Sequence, residues 1–417
     1  MVTDPDMIAR LKELSGLMTA GEVFEQAPAQ RAQGVPEECE LEQVVKGEVA
    51  ENDLGRFFLA TRTSSVTEHH GNVALLTAQQ VGGDTIATMA NDDELREFRL
   101  DRALFLDTET TGLSGGTGTY AFLVGVGRFE GGNLVLRQYF MRDFDEEEAM
   151  LVALADLFRD AEGVVTYNGK SFDIPLLQTR FITSRIRINL EDVPHLDMLH
   201  VARRLWRARL RDCSLGNVER EVLELTRHGD IPSHLIPQIY FNYLRTRDAR
   251  RLAPVFYHNE QDVLSLAALA SRAAQLVTAP PDLVEAHPLD LLSLARLHFR
   301  QRRYPRSERH ASDAYDSGLE PDDARHALYV LALSLKRQHR WEQAHSIWCQ
   351  LAKHYPDDVG PRIEMAKHLE HREHDLKEAH TICQACIAVA RHIGAGEDSI
   401  GEIQYRLARI ERKIDSR

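Results

Sequence analysis

Alternation and periodicity along the chain sharpen after residue 47. "GEVAENDLGRFFLATRTSS" (47–65) places apolar and polar positions on either side of Asn52-Asp53 and Gly55, which predicts a short hairpin. "ALFLDTE" (103–109), "YAFLVGVGRFE" (120–130) and "NLVLRQYFMRD" (133–143) read as strands, the last two joined through Gly131-Gly132-Asn133. "EEEAMLVALADLF" (146–158) has helical periodicity and an acidic first turn, which suits the helix dipole. "GVVTYNG" (163–169) predicts a further strand leading into the helical "SFDIPLLQTRFI", and helices follow to about 275, among them "NEQDVLSLAALASRAAQLV" (259–277). Strands, then a helix, a strand and more helices predict an α/β domain over 47–276, a mixed sheet flanked by helices with an N-terminal β extension. Residues 1–46 read as an acidic leader.

"VTAPPDLVEAHP" (277–288) interrupts this pattern with three prolines and predicts a linker. Residues 289–417 then read as all-helical and self-similar. "ARLHFRQRRYPRSERHASDAY" (295–315), "ALSLKRQHRWEQAHSIWCQLAKHYP" (332–356) and "AKHLEHREHDLKEAHTICQACIAVA" (366–390) align Ala295 with Ala332 and Ala366, and Tyr304 with Trp341. A period in the mid-thirties with paired helices resembles tetratricopeptide repeats, which predicts a protein partner on a concave face. Ile403, Leu407, Ile410 and Ile414 predict a last helix that caps the stack.

Composition is that of a globular protein, 43% hydrophobic and 27% charged. No apolar run approaches the roughly 20 residues that span a bilayer, so no membrane partner is expected. The start carries no basic segment followed by an apolar one, and five scattered cysteines do not make a disulfide framework. Together these predict a cytoplasmic protein. The net charge of −14 argues at first against a nucleic-acid partner, but residues 1–53 alone hold twelve acids against four bases. "RRLWRARLR" (203–211) carries five arginines and no acid, with Arg203, Arg207 and Arg211 on one helical face. That face reads either as a phosphate contact or as a solvated surface.

Candidate chemistry begins at "FLDTETTGL" (105–113). Side chains two apart on a strand share a face, so Asp107 and Glu109 stand together at the end of a strand buried on both faces. Like charges so placed repel, and a cation should hold them. Asp173 in "YNGKSFD" and Asp262 in "YHNEQDVLSL" bring the total to four carboxylates on three elements. Hard divalent cations such as Mg²⁺ take oxygen ligands of this kind, and a pair of ions can cleave a phosphodiester. Near the third motif, His258 stands four residues before Asp262 and shares its helix face, whereas Tyr257 stands five before and points away. Spacing and a near-neutral imidazole favour His258 as the group that assists a water, with Tyr257 as the alternative.

The segments "DTETTG", "NGKSFD" and "YHNEQDV", in that order, resemble the three motifs of the DEDD exonucleases of the ribonuclease H-like superfamily, and the closer likeness is to bacterial YprB-type proteins, which join such a domain to tetratricopeptide repeats. The resemblance implies 3′→5′ hydrolysis of a nucleic-acid end, expected to be single-stranded, with two Mg²⁺ or Mn²⁺ ions. It implies that Asp107 contacts both ions, Glu109 and Asp262 the nucleophile-side ion, and Asp173 the other. It sets Thr110, Leu113, Asn168 and Lys170 against substrate, where Leu113 otherwise reads as core and Asn168-Gly169 as an ordinary turn. The third motif departs from the family by exchanging Tyr and His between their two slots. A non-cleaving nucleic-acid scaffold and a structure-specific endonuclease on the same metals remain as alternatives. No short motif encodes contact with a 2′-hydroxyl, so DNA and RNA stay equally open. "SGGTGT" (114–119) lacks the Lys-Ser/Thr of a phosphate loop and predicts a hairpin turn. Asp197 in "HLDML" reads either as structural or as a support behind the site residues. The group His368, His371, His374, His380, Cys383 and Cys386 reads as helix surface and core rather than a zinc site.

Overall fold

The computed structural model of the protein describes residues 38–112, 118–278 and 286–416. It divides into two units, residues up to 203 together with 212–275, and 204–211 together with 276 onward.

In the first unit β1 (Glu48–Asn52) and β2 (Gly55–Ser65) form the expected hairpin, its turn closed by the Leu54 N–H donating to Asn52 Oδ1 at 3.0 Å. β3 (His69–His70) and β4 (Val73–Ala74) make a separate ladder, followed by short helices α1 (Leu76–Gln79) and α2 (Gly83–Ala90). The apolar run "ALFL" becomes β5 (Leu104–Thr110), paired antiparallel with β6 (Ala121–Glu130). β6 turns into β7 (Asn133–Phe140) through Gly131 and Gly132, both at positive φ, a backbone that a two-residue hairpin requires and that glycine adopts without strain. After helix α3 (Glu147–Asp160), β8 (Val164–Thr166) lies parallel to β5, and β9 (His195–Asp197) lies parallel to β8. The sheet runs β1-β2-β7-β6-β5-β8-β9, so β5 is flanked on both sides and sits near the middle. The hairpin predicted at 47–65 is therefore the antiparallel edge of one mixed seven-stranded sheet.

Alternation along β5 places Leu104, Leu106 and Thr108 on one face and Phe105, Asp107 and Glu109 on the other. Leu104 and Leu106 join a core with Met150, Leu154 and Phe158 of α3 and Leu177 and Phe181 of helix α4 (Asp173–Thr183). Helix α5 (Met198–Leu210), α6 (Leu215–Val222) and α7 (Ile236–Thr246) precede α8 (Ala253–Thr278), which crosses the sheet at Gly125 and Gly127 of β6. α8 begins six residues before the predicted start, because Pro254 falls in its first turn, where a missing N–H costs nothing.

One charged pair is sealed inside this layer. Glu147 and Arg180 meet in a two-pronged bond, Nε to Oε1 and Nη2 to Oε2, both at 2.6 Å, with the guanidinium 4.0 Å above the Tyr120 ring. Their side chains are only 10% and 3% exposed, so neither charge has water to fall back on.

The second unit is helical. α9 (Pro288–Arg300) pairs with α10 (Tyr304–Asp316), α11 (Pro321–Arg337) with α12 (Trp341–His354), α13 (Val359–His368) with α14 (Leu376–His392), and α15 (Glu397–Asp415) closes the series. Ala295, Ala332 and Ala366, aligned in the sequence, are all fully buried in the first helix of their pairs. Tyr304 and Trp341 are the first residues of the second helices. Two residues before each second helix the backbone is left-handed, at Arg302, His339 and His374, with φ of 59°, 61° and 60°. The same turn is thus made three times. Residues 279–285 of the predicted linker lie outside the described residues.

Replacing Glu147 by Ala strands a buried guanidinium and should cost about 3–5 kcal/mol of stability. The double variant Glu147→Leu/Arg180→Met, which removes both charges, should recover most of that loss. Urea unfolding followed by circular dichroism measures both.

Candidate active site

The four predicted carboxylates come together at the C-terminal end of β5, supplied from both faces of the sheet. Asp107 and Glu109 project from β5 on the side of α8; Asp262 stands on α8; Asp173 opens α4 on the opposite side. Asp107 is fixed by Asn259 of α8, whose Nδ2 donates to its Oδ2 at 2.8 Å and its backbone oxygen at 3.2 Å. Asn259 Oδ1 accepts in turn from Gln138 Nε2 at 2.9 Å. Asp107, Gly125 and Gln138 are direct register partners across three strands, so Asn259 lies over the glycine between the two polar side chains. A Cβ at Gly125 would stand 2.2 Å from Asn259 Oδ1. Glycine is what lets the helix come this close. Asp173 accepts from Thr108 Oγ1 at 2.5 Å.

Asp262 and His258 share one face of α8, as their spacing predicts. His258 Nδ1 lies 2.7 Å from Asp230 Oδ1, while its Nε2 lies 3.2 Å from Ser233 Oγ, 3.6 Å from Asp262 Oδ2 and 3.9 Å from Glu109 Oε1. Among the described residues, Glu109, His258 and Asp262 are the one set of three such donors whose ligand atoms all fall within 4.8 Å of one another. Tyr257, partly exposed, makes none of the described contacts around these groups. Arg227 binds the outer oxygen of Asp262, Oδ1, and is itself clasped by Glu219 through Nε at 2.8 Å and through Nη2, and by Asp230 at 3.3 Å. A cleft of about 470 Å³ opens in front of His258, Asp262 and Arg227, walled by Ser214–Gly216 and the loop from Leu225 to Ser233.

Negative charge is in excess here. Burial first, and then the charges of Asp262 and Asp173, hold the Asp107 carboxyl well above its ordinary range, against the hydrogen bond from Asn259. Burial and the charges of Asp107, Asp262, Asp173 and Asp230 do the same to Glu109. Asp173 is pushed up to about 6 by burial, which the Thr108 hydrogen bond opposes. Glu109 is 9% exposed and receives no hydrogen bond among the described residues. Oxygen donors that converge, lack enough protein donors and resist ionising together are what a divalent cation satisfies. The donor set fits a metal.

Other predicted residues fall elsewhere. Asn168 takes a left-handed backbone, φ 66°, in a turn held by Asp197, whose carboxylate accepts from the N–H groups of Asn168, Lys170 and Leu199. Asp197 thus holds the turn that carries Asn168 and Lys170. Lys170 is exposed and lines a different cleft, of about 480 Å³, with Ile174, Gln178 and His195. Thr110 turns its hydroxyl to the Gly112 carbonyl at 2.9 Å. Leu113 and most of "SGGTGT" lie outside the described residues. Arg203, Arg207 and Arg211 are all exposed. Cys383 and Cys386 are buried in helix packing, and no grouping of metal donors includes them among the described residues. Sequence reasoning missed Arg227, Asp230, Glu219 and Ser233; the spacing of Arg227 and Asp230 in "TRHGDIPS" was the one local hint of paired charges in that loop.

Residues 104–274 match the family described as the RNase_H superfamily. Over 322 residues, 76% of each chain, the protein is 30% identical to the uncharacterized protein YprB of Bacillus subtilis (strain 168).

Gly125→Ala should force Asn259 off Asp107 and destabilise the protein by about 1–3 kcal/mol, the usual cost of overpacking. Differential unfolding against the wild type checks this; an unchanged midpoint would mean that α8 does not need the glycine gap.

Proposed function

Because the chain belongs to the YprB family and carries a ribonuclease H superfamily domain, we propose that it is a divalent-metal-dependent 3′→5′ exonuclease acting on DNA or RNA. The observation that carries this reading is the meeting of Asp107, Glu109, Asp173 and Asp262 at one strand end, three motifs far apart in sequence, with negative charge that the protein compensates only in part. These four side chains would hold two Mg²⁺ or Mn²⁺ ions. Such ions supply a hydroxide nucleophile near neutral pH and offset charge on the phosphate and the leaving oxygen.

The chain's own residues prepare the site. Asn259 orients Asp107, Thr108 orients Asp173, and Asp230 fixes the imidazole of His258 so that Nε2 faces the acids. Arg227 holds Asp262 by its outer oxygen and leaves Oδ2 to the inner side. Arg227 also lines the 470 Å³ cleft, but three carboxylates already engage its guanidinium, so its part there is to hold Asp262 in place. The exposed face of Arg203, Arg207 and Arg211 is proposed as a contact for the phosphate backbone. The helical region after about residue 276 is proposed as a tetratricopeptide-like domain for a protein partner. Its cavity of about 300 Å³, lined by Trp341, Trp348, Arg372 and by Glu364 paired with Lys336 and Lys367, is proposed as the place where that partner docks.

The test uses single-stranded DNA and RNA labelled at either end, incubated with wild type or Asp107→Ala in Mn²⁺, Mg²⁺ or EDTA. A ladder shortening from the 3′ end, dependent on metal and absent from the variant, is expected. Internal cuts would indicate an endonuclease, and binding without cleavage under every condition would indicate a scaffold.

A further inference from the structure

The spacing of His258 from Asp262 fits a group that works on water, but its surroundings define a different role. Its Nδ1 is engaged by Asp230 Oδ1 at 2.7 Å. An Nδ1–H that donates to that carboxylate leaves the ring lone pair on Nε2. That lone pair faces Asp262 Oδ2 at 3.6 Å and Glu109 Oε1 at 3.9 Å, both acceptors. Neither distance is a hydrogen bond. Three electron-rich atoms therefore converge on a common space, and Nε2 is hydrogen-bonded there to the Ser233 hydroxyl at 3.2 Å. Glu109 adds an independent sign, since it is buried and receives no hydrogen bond among the described residues. Arg227 cannot fill the gap: its guanidinium is held on the far oxygen of Asp262 by the clasp of Glu219.

We propose that His258 is itself a metal ligand, so that Nε2, Glu109 Oε1 and Asp262 Oδ2 form a one-nitrogen, two-carboxylate site that prefers a first-row transition ion over Mg²⁺. The proposal rests on the metal-dependent reading of this site and changes its ion. A nitrogen donor is poorly matched to Mg²⁺, which favours oxygen and sheds water reluctantly, whereas imidazole suits transition ions. Asp230 then has the part that an outer carboxylate has beside a ligating histidine, fixing the tautomer and the ring plane. Asp230 is a positioning residue.

The experiment reads metal binding in the full-length protein without nucleic acid. Sub-stoichiometric Mn²⁺ is added to protein grown with ¹⁴N- or ¹⁵N-histidine, and electron spin echo modulation reports histidine nitrogen bound to the ion. Modulation that changes with the isotope and is lost in His258→Gln is expected. In calorimetric titrations His258→Gln should weaken Mn²⁺ far more than Mg²⁺, and Asp230→Asn should weaken Mn²⁺ by about 10–100-fold. Mn²⁺ bound without histidine nitrogen coupling in the wild type overturns the proposal whether or not the variant folds. Coupling that persists in a folded His258→Gln assigns the nitrogen to another histidine and also overturns it. Absence of any Mn²⁺ binding removes both the ligand assignment and the metal-dependent reading. Histidine-coupled Mn²⁺ with no cleavage of labelled DNA or RNA would leave the ligand assignment standing and defeat the exonuclease reading alone.

Discussion

The site depends on how closely one helix can approach one sheet. α8 crosses β6 where Gly125 carries no side chain, and Asn259 occupies the space that a Cβ would claim. From there it bonds Gln138 on β7 and Asp107 on β5, across three strands in register. This contact fixes both the height and the rotation of α8. Once they are set, His258 and Asp262, one position before and three after Asn259, have little freedom in where they point.

A helix fixed so firmly can carry groups that the fold does not favour. Asp107, Glu109 and Asp262 crowd together where their charges oppose one another, and burial with that repulsion holds the carboxyls of Asp107 and Glu109 well above their ordinary range. The protein answers only part of this, with Arg227 on Asp262 and hydrogen bonds to Asp107 and Asp173. Contrast Glu147 and Arg180, an equally buried pair in which each charge meets its full complement. The first arrangement leaves electrostatic strain that a cation relieves; the second is structural and needs nothing more.

The helical unit follows a simpler rule. Each pair needs a small residue where its helices cross and a sharp reversal between them. Ala295, Ala332 and Ala366 meet the first need, fully buried, and the left-handed residues Arg302, His339 and His374 meet the second. A side chain in that backbone region is strained, and its recurrence at three positions, on an arginine and two histidines, points to a turn set by helix packing rather than by local preference.

How far the sequence could be read follows from the range of each signal. Period-two and period-3.6 patterns are local, so "ALFL", the Gly-Gly hairpin, α3 and the repeated alanines were legible, and so were the acids of the three motifs with their strand and helix settings. The start of α8 was placed late because its first turn holds a proline and little periodicity. The sequence by itself determined which elements form and which chemistry they bring: four carboxylates and a histidine on a mixed α/β sheet, then paired helices. Tertiary structure alone decided which side chains complete that chemistry. Arg227 reaches Asp262 across 35 residues, Asp230 reaches His258 across 28, and Asn259 reaches Asp107 across 152. No spacing rule spans such separations, because those partners meet only after the sheet has closed against α8 and the loop before α7 has folded over it.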